Sequence, residues 1–189
     1  RYRYPADPSY AGRHPADLRA VAVRHAGGAL QIEVELAEIS RVWNPPMGLD
    51  HVALTAFIEL PGQPGGAREM PGQQASLPGD LRWHRRLRLH GWSNALFSHE
   101  GASATDEGRP LRPAADVQVD AERRTLRLTL AAEALGGLDS LSGARVYLST
   151  WDYDGGFRAL APQPQAWAFG GGPADGPKVM DETPVLTLR

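Results

Sequence analysis

The chain has 189 residues, a formal net charge of -2 and no cysteine. This length fits one domain that buries its core without disulfides, and the lack of cysteine excludes thiolate metal sites and thiol nucleophiles. A nearly balanced charge gives no general attraction to nucleic acid, and no apolar run reaches the length of a membrane span. We therefore predict a single domain over residues 1–189, with no nucleic acid partner and no transmembrane segment.

The N-terminal quarter of the chain predicts an extended segment followed by a hairpin. Residues 1–15 carry tyrosines among prolines and are expected to be extended and partly docked. In residues 29–36, Leu30, Ile32, Val34 and Leu36 alternate with polar side chains, which is the period of a strand with one buried face. Because Gly27-Gly28 marks a tight turn before this strand, residues 18–24 are its expected antiparallel neighbour.

The next part of the chain alternates strands with stiff or long loops. Two prolines stiffen residues 41–50, and Trp43 lies at the base of this loop. Residues 52–60 are almost continuously apolar, as in a strand covered on both faces, and residues 61–79 form a long glycine- and proline-rich loop.

Residues 81–92 predict a strand with one solvated side. Its apolar face is expected to carry Trp83, Leu87 and Leu89. The opposite, basic face could suit an anionic polymer, although alternating charge is more often a solvated face or a protected edge. That face comprises Arg82, His84, Arg86, Arg88 and His90.

The C-terminal half repeats the hairpin pattern. Residues 98–113 are expected to be a loop, and residues 116–119 and 125–130 a second hairpin with its leucines inward. A helical turn at 131–135 is closed by glycine, residues 144–151 form a further strand, and residues 185–188 return to a sheet edge. Seven or more strands with almost no helix predict an all-β, antiparallel β-sandwich with one short helix.

No catalytic motif is present in the sequence. There is no Gly-x-Ser-x-Gly elbow and no His-Glu-x-x-His, and the run Gly170-Gly171-Gly172 is followed by Pro173 rather than a helical pattern. We therefore expect no enzymatic activity from this domain.

One turn has the chemistry of a calcium ligand set. Asp152 and Asp154 alternate in a glycine turn and could offer oxygen ligands to Ca²⁺, although Asp and Gly are also the ordinary residues of turns, which is the reading we favour. Asp50 and Asp181 are open to the same two interpretations.

Five tryptophans are the other notable feature. An exposed indole can stack on the apolar face of a sugar ring with a large contact area. Trp83 and Trp167 lie in apolar or strand contexts, which favours the core. The expected ligand-binding residues border loops instead and are Trp43, Trp92, Trp151 and Tyr153.

Blocks along almost the whole chain resemble the C-terminal domain of glucodextranase, a DOMON-like family that also occurs in amylopullulanase-type enzymes. The blocks, in order, are Tyr2-Arg3-Tyr4-Pro5, then Trp43-Asn44-Pro45-Pro46-Met47-Gly48-Leu49, then Trp83 with Gly91-Trp92, and last Ala166-Trp167-Ala168-Phe169-Gly170-Gly171-Gly172 leading to Lys178-Val179-Met180-Asp181. The chain departs from the family in two places. It lacks an acidic, glycine-rich lead-in, and Phe57-Ile58-Glu59 stands where an aromatic-x-Asp is more usual.

This resemblance implies an immunoglobulin-like or jelly-roll-like sandwich without an active site. It implies a secreted carbohydrate-binding or surface-associated accessory module, extracellular or periplasmic, attached to an enzyme that acts on α-glucan. The expected partners are a polysaccharide such as α-glucan or a neighbouring catalytic domain. Because the chain begins with Arg1 rather than Met and lacks the lead-in, we expect an excised or processed piece, and any metal site that used the lead-in is in doubt.

Two other functions remain open at this stage. Some DOMON-like sandwiches hold haem between a methionine and a histidine, for which Met47 with His90 or His51 is conceivable here, beside the simpler reading of ordinary packing. A purely structural spacer that orients a neighbouring domain would have no affinity for glycans.

Overall fold

The computed structural model describes residues 2–189 and is an all-β sandwich, as the sequence predicts. Short 3₁₀ turns cover Pro8–Tyr10 and Ala132–Leu135, the second ending at Gly136 in the left-handed region as expected. The strands are β1 Leu18–Ala26, β2 Ala29–Leu36, β3 Ala53–Glu59, β4 Glu69–Met70, β5 Ala75–Ser76, β6 Arg85–His90, β7 Ser93–Ser98, β8 Arg109–Leu111, β9 Asp116–Asp120, β10 Thr125–Leu130, β11 Arg145–Trp151, β12 Leu160–Ala161, β13 Phe169–Gly170, β14 Asp181–Glu182 and β15 Leu186–Thr187.

The two predicted hairpins form one four-stranded sheet in the order β1-β2-β10-β9. Strand β2 pairs with β1 and β10, so the turn at Gly27 and the turn after Asp120 close the outer pairs. Val34 lies opposite Val21 on one side and Leu126 on the other. The apolar residues of every strand therefore share one face, and the predicted alternation is confirmed.

A larger sheet packs against this face, in the order β14-β11-β3-β6-β7-β8, with β15 also pairing with β11. The predicted strands at 52–60 and 144–151 lie at its centre, and residues 185–188 reach its edge as expected. Strands β7 and β8 were not predicted. Strand β7 follows directly after the turn at Gly91, and β8 contains Pro110, so neither has the long alternation by which the other strands were recognised.

The core lies between the two sheets and continues outside the larger one. Leucine, isoleucine and valine side chains from both sheets fill the first layer. A second layer on the outer face of the larger sheet contains Phe57, Met70, Leu77, Leu81, Trp83 and Tyr147. The long loop after β3, which carries the small β4–β5 hairpin, covers this outer face.

The outer layer corrects two predictions about residues 81–92. Trp83 is buried as expected, but it lies on the opposite face of the sheet from Leu87 and Leu89. Regular pairing with β3 begins only at Arg85, so the alternation of β6 does not extend back to Trp83.

The basic face of β6 is not solvated, because residues 99–108 fold over it. The side chains of Arg86 and Arg88 are almost fully buried and share Glu107 as counter-ion, and only Arg82 of the three predicted surface arginines is exposed. Burial lowers the pKa of Arg86 to about 10, so it remains charged at neutral pH. Its guanidinium lies over the rings of Phe97 and Trp83.

Within residues 2–189 no helix has the length and apolar character needed to cross a membrane.

Candidate functional site

Three loop segments meet at one end of the larger sheet. Strand β3 begins there at Ala53, β6 and β11 end there at His90 and Trp151, and the turn between β6 and β7 lies beside them. The pairing of Trp151 with Ala53 and of Leu89 with Leu54 places these strand ends next to one another. Residues 40–52, 91–92 and 152–158 are therefore neighbours although they are distant in sequence.

Exposed tryptophans converge on this end of the sandwich. Trp43, Trp92 and Trp167, which we call the tryptophan cluster, are 39%, 52% and 46% exposed. The ring centroid of Trp43 lies 6.1 Å from that of Trp92 and 5.8 Å from that of Trp167. Among the described residues, the other large exposed hydrophobic side chain is Val42, on the same loop. A clustered exposed aromatic surface of this kind is a candidate interaction site.

Trp43 is held in place by a buried polar group. The carboxylate of Asp50 accepts a hydrogen bond from the backbone amide of Trp43 at 2.7 Å and from Ser40 Oγ at 2.5 Å. His51 Nδ1 donates to the same carboxylate at 2.6 Å, and its ring packs on Trp43 with a centroid separation of 4.1 Å. The backbone bridge between Ser40 and Asp50 closes the loop.

The buried carboxylate of Asp50 is stabilised in its charged form. Burial by itself would raise the pKa of Asp50, but the hydrogen bonds from Ser40, the Trp43 amide and His51 outweigh it, so the pKa is lowered. His51 is fixed from its other side, since Nε2 lies 2.8 Å from Ser9 Oγ. The position of the Trp43 indole is therefore fixed by the hydrogen-bonded residues Asp50 and His51.

Beside the tryptophan cluster lies a cavity of about 380 Å³. Trp43 and Trp92 form one part of its wall and Tyr153 another, and the charged residues come from the turn after β11. This volume lies near the lower end of the range for small-ligand sites. The lining residues are Trp43, His51, Val52, Gly91, Trp92, Asp152, Tyr153, Asp154 and Arg158.

The charged groups of the cavity are arranged around Arg158. Its Nε donates to the buried carboxylate of Asp152 at 2.5 Å, and its guanidinium lies 5.1 Å from the ring centroid of Trp167. Asp152 also accepts from the hydroxyl of Tyr10, and burial together with this carboxylate raises the pKa of Tyr10. Asp154 Oδ2 lies 3.7 Å from Arg158 Nη1, but the Asp154 side chain is 77% exposed.

Tyr153 is packed from behind by residues of β6. The guanidinium of Arg88 lies 4.2 Å from its ring centroid, and the His90 ring lies 4.6 Å away at a low angle. Burial and the charge of Arg88 lower the pKa of His90 to about 4, so this ring is neutral at physiological pH. Arg88, which was predicted to lie on the surface, instead packs against Tyr153, a residue that lines the cavity.

The structure brings together most of the predicted site residues. Trp43, Trp92, Tyr153, Asp152 and Asp154 all line the cavity. Their roles in binding remain predictions.

One predicted stacking residue is misplaced, and one predicted core residue is exposed. Trp151 is fully buried, stacked on Phe169 with its Nε1 donating to the Arg158 carbonyl, because it is the last residue of a central strand. Trp167, predicted to be core, belongs to the exposed cluster.

Sequence reasoning missed the parts of the site that depend on tertiary contacts. His51 was considered only as a haem ligand, and Arg158 was not singled out. The one available signal for Trp167 was its position in a stretch with Pro162, Pro164 and three glycines, which is typical of a surface turn.

The carboxylates considered for calcium already have protein partners. Asp152 is bound to Arg158 and Tyr10, and Asp50 to Ser40, His51 and the Trp43 amide. Asp181 accepts from the amides of Leu18 and Glu182. In the described part of the chain, no three His, Asp or Glu side chains are grouped as a metal ion requires.

The haem alternative gains no support from the geometry. Both ring nitrogens of His51 have hydrogen-bonding partners, Asp50 and Ser9. The His90 ring packs on Tyr153, and its Nδ1 lies 3.4 Å from the Trp92 amide.

A second concave region lies on the outer face of the four-stranded sheet. This groove has a volume of about 610 Å³ and is larger than the cavity beside the tryptophan cluster. Its polar lining includes Glu33, Glu35, Gln118 and Arg127, and it contains no aromatic side chain. Since Glu33 is already paired with Arg24 and Arg127, this surface has the character of a solvated sheet face.

Comparison with known protein families gives a match over almost the whole chain. Residues 1–185 match the model of a family described as the C-terminal, SLH-like binding module of glucodextranase. No curated protein matches the chain.

Proposed function

The chain belongs to the glucodextranase C-terminal binding-module family, and we propose that it is a non-catalytic carbohydrate-binding module of a secreted, α-glucan-active protein. In this proposal the tryptophan cluster holds sugar rings and the adjoining cavity supplies polar contacts. The expected ligand is an α-glucan or a related polysaccharide, and the expected neighbour is a catalytic domain of the same protein.

The observation that carries the proposal is the convergence of three exposed indoles from three separate loops. Contiguous exposed apolar surface is uncommon on soluble proteins and is typical of interaction and ligand-binding sites. Indole faces offer a broad apolar contact to the C–H faces of a sugar ring at little cost in conformational entropy. The rings of Trp43 and its two neighbours are tilted by 43° and 42°, so the surface is curved rather than flat.

The polar residues of the cavity support the same ligand class. Asp154 presents exposed carboxylate oxygens, which accept hydrogen bonds from hydroxyl groups. The combination of an apolar ring and a few fixed polar groups is typical of small-ligand sites. The description of the family as a binding module favours binding without reaction.

The experiment is affinity electrophoresis in gels that contain soluble starch or dextran, with Trp43→Ala, Trp92→Ala and Trp167→Ala. We expect each substitution to raise the Kd by about tenfold, which corresponds to about 1.4 kcal/mol of lost contact. Val42→Ala is the matched control, because Val42 is 44% exposed on the same loop but carries no ring. Circular dichroism checks that each variant is folded.

Two results would contradict the proposal. Retention that is the same for the wild type and all three variants would remove the stacking role. No retention of the wild type on either glucan would instead favour a structural spacer. A visible spectrum after haem addition tests the electron-transfer alternative, for which we expect no Soret shift.

A further inference from the structure

We propose that the charge of the cavity disfavours anionic polysaccharides relative to uncharged ones, with Asp154 as the residue that discriminates between them. This inference rests on the proposed carbohydrate-binding function and adds the class of ligand. It predicts a difference in affinity between polysaccharides that share a sugar backbone and differ only in charge.

The lining of the cavity has more negative than positive charge. Two carboxylates, Asp152 and Asp154, face one guanidinium, Arg158. Arg158 is already paired with Asp152 at 2.5 Å, and both side chains are almost completely buried, so this pair presents little net charge to a ligand. The remaining charge is that of Asp154, which lies beside Trp92 and Tyr153 and is 77% exposed, so its 3.7 Å contact with Arg158 Nη1 is screened by solvent.

The cations outside the cavity lining do not compensate this charge. Arg88 lies behind the ring of Tyr153 and is neutralised by Glu107, with Nε to Oε1 at 2.6 Å. Arg86 is deeper and shares the same carboxylate. Arg41, on the loop of Trp43, does not line the cavity and donates to the Gly48 carbonyl. A carboxylate or phosphate on the ligand would therefore meet Asp154 without a free cation among the lining residues.

Asp154 is also well placed to favour uncharged sugars. A carboxylate accepts hydrogen bonds only, and sugar hydroxyl groups donate them. A hydrogen bond from the Asp154 amide to the Gly156 carbonyl, at 2.8 Å, fixes the backbone of the turn that carries this side chain. An anionic group on the ligand could not donate a hydrogen bond to Asp154 and would be repelled by the carboxylate, which lowers the affinity for anionic polymers.

The experiment compares dextran with carboxymethyl-dextran, which has the same backbone and added carboxylates. Isothermal titration at low ionic strength measures both polymers with the wild type, Asp154→Asn and Asp139→Asn. Asp139 is exposed near the turn at Gly27, at the other end of the sandwich, so its substitution changes the net charge by the same amount away from the cavity.

We expect the wild type to bind carboxymethyl-dextran about fivefold more weakly than dextran, a ratio in the range of one partly screened charge contact. Asp154→Asn should reduce this ratio to within about twofold, and added salt should reduce it in the wild type, because exposed charges are screened. Asp139→Asn should retain the wild-type ratio.

The outcomes separate this inference from the proposed function. Equal or tighter binding of carboxymethyl-dextran by the wild type would overturn the inference while leaving carbohydrate binding intact. A ratio that Asp154→Asn leaves unchanged, or that Asp139→Asn reduces equally, would also overturn it, because the discrimination would then come from net charge. Failure of the wild type to bind dextran and starch would overturn the proposed function and this inference with it.

Discussion

At the scale of single residues, the site depends on one buried carboxylate. Asp50 is inaccessible to solvent, yet it serves three donors from Ser40, His51 and the Trp43 amide. Buried charges are tolerated in proteins when every lone pair is used in this way. The position of the central indole is therefore set by a residue that no ligand touches.

We predict that Asp50→Asn weakens glycan binding through Trp43. An amide has one acceptor oxygen and cannot accept all three hydrogen bonds, which should lower the free energy of unfolding by about 1–3 kcal/mol. Retention on dextran should fall several-fold at a temperature at which the variant remains folded. Asp139→Asn, in an exposed turn, is the control. Unchanged dextran binding by the Asp50 variant would contradict a positioning role.

The pairing of Asp152 with Arg158 leads to a prediction about calcium. Because a guanidinium and the Tyr10 hydroxyl occupy this carboxylate, Ca²⁺ would have to displace both before it could bind. We expect the same Tm and the same dextran retention in millimolar calcium and in chelator. A clear rise in Tm with calcium would show that the turn at Asp152 and Asp154 rearranges into a metal site.

At the scale of elements, loops are fixed to the sheet end by close backbone contact. The loop 41–50 docks on the turn between β6 and β7, where the Met47 amide donates to the Gly91 carbonyl at 3.0 Å. A Cβ atom on Gly91 would lie 2.7 Å from the Leu49 carbonyl oxygen and 2.9 Å from Pro45 Cβ. Only glycine fits there without movement of the loop.

We predict that Gly91→Ala displaces the loop that carries Trp43. Overpacking of this size should lower the free energy of unfolding by about 1–3 kcal/mol and reduce dextran retention several-fold. Gly156→Ala is the matched control, because a Cβ there meets nothing within 4 Å. If both variants bind alike, the close contact at Gly91 does not control the loop.

A second loop, residues 99–108, covers the outer face of β6 and contributes one carboxylate, that of Glu107, to two ion pairs. Glu107 accepts from Arg88 Nε at 2.6 Å and lies 3.4 Å from Arg86 Nη2. It is the shared counter-ion of two buried guanidinium groups, one of which supports Tyr153. Removing one partner of such a group leaves charge buried without compensation.

We predict that Glu107→Gln lowers the free energy of unfolding by about 2 kcal/mol, measured by urea denaturation. Glu100→Gln is the control on the same loop, since Glu100 pairs with Arg109 in an exposed position. That change should lie within about 0.5 kcal/mol of the wild type. If both substitutions lower the free energy of unfolding equally, the buried ion pairs of Glu107 contribute no more to stability than the exposed pair of Glu100.

At the scale of the whole molecule, the larger sheet is buried on both faces. The sandwich core covers one face, and long loops with an apolar layer of their own cover the other. Titratable groups of β6 consequently lie in a poorly solvated environment. The stability of the fold should therefore depend on pH in a direction that these groups set.

We predict that the protein loses stability as the pH falls from about 6.5 towards 4. Burial, with the charge of Arg88, lowers the pKa of His90 to about 4, and burial also lowers the pKa of His84. In this window the unfolded chain binds protons that the folded chain does not, so acid favours unfolding. The carboxylates of Asp50 and Glu107, whose pKa values are also lowered, add to the loss below their usual range.

Thermal denaturation at a series of pH values checks this prediction, with His90→Gln as the comparison. The variant should show a smaller decrease in Tm between pH 6.5 and 4, because one of the responsible groups is gone. A Tm that is constant over this window in the wild type would contradict the assignment of a neutral, buried His90.

The sequence by itself determined the local units of this protein. The strands and the two-layer fold could be predicted because their signals are local in sequence. These signals are the alternation in residues 29–36 and 125–130, glycine at the turns and the apolar run of β3. Exposed positions for Trp43 and Trp92 followed from the loops that carry them.

The tertiary structure decided what covers each face and which loops meet. An arginine on a strand has the same local pattern whether water or another loop lies above it, so the burial of Arg86 and Arg88 was not predictable. The same holds for Trp151, whose strand end is central, and for Trp167, which joins the cluster from a distant turn. Burial and convergence depend on contacts between residues far apart in the chain, and periodicity within one segment carries no information about them.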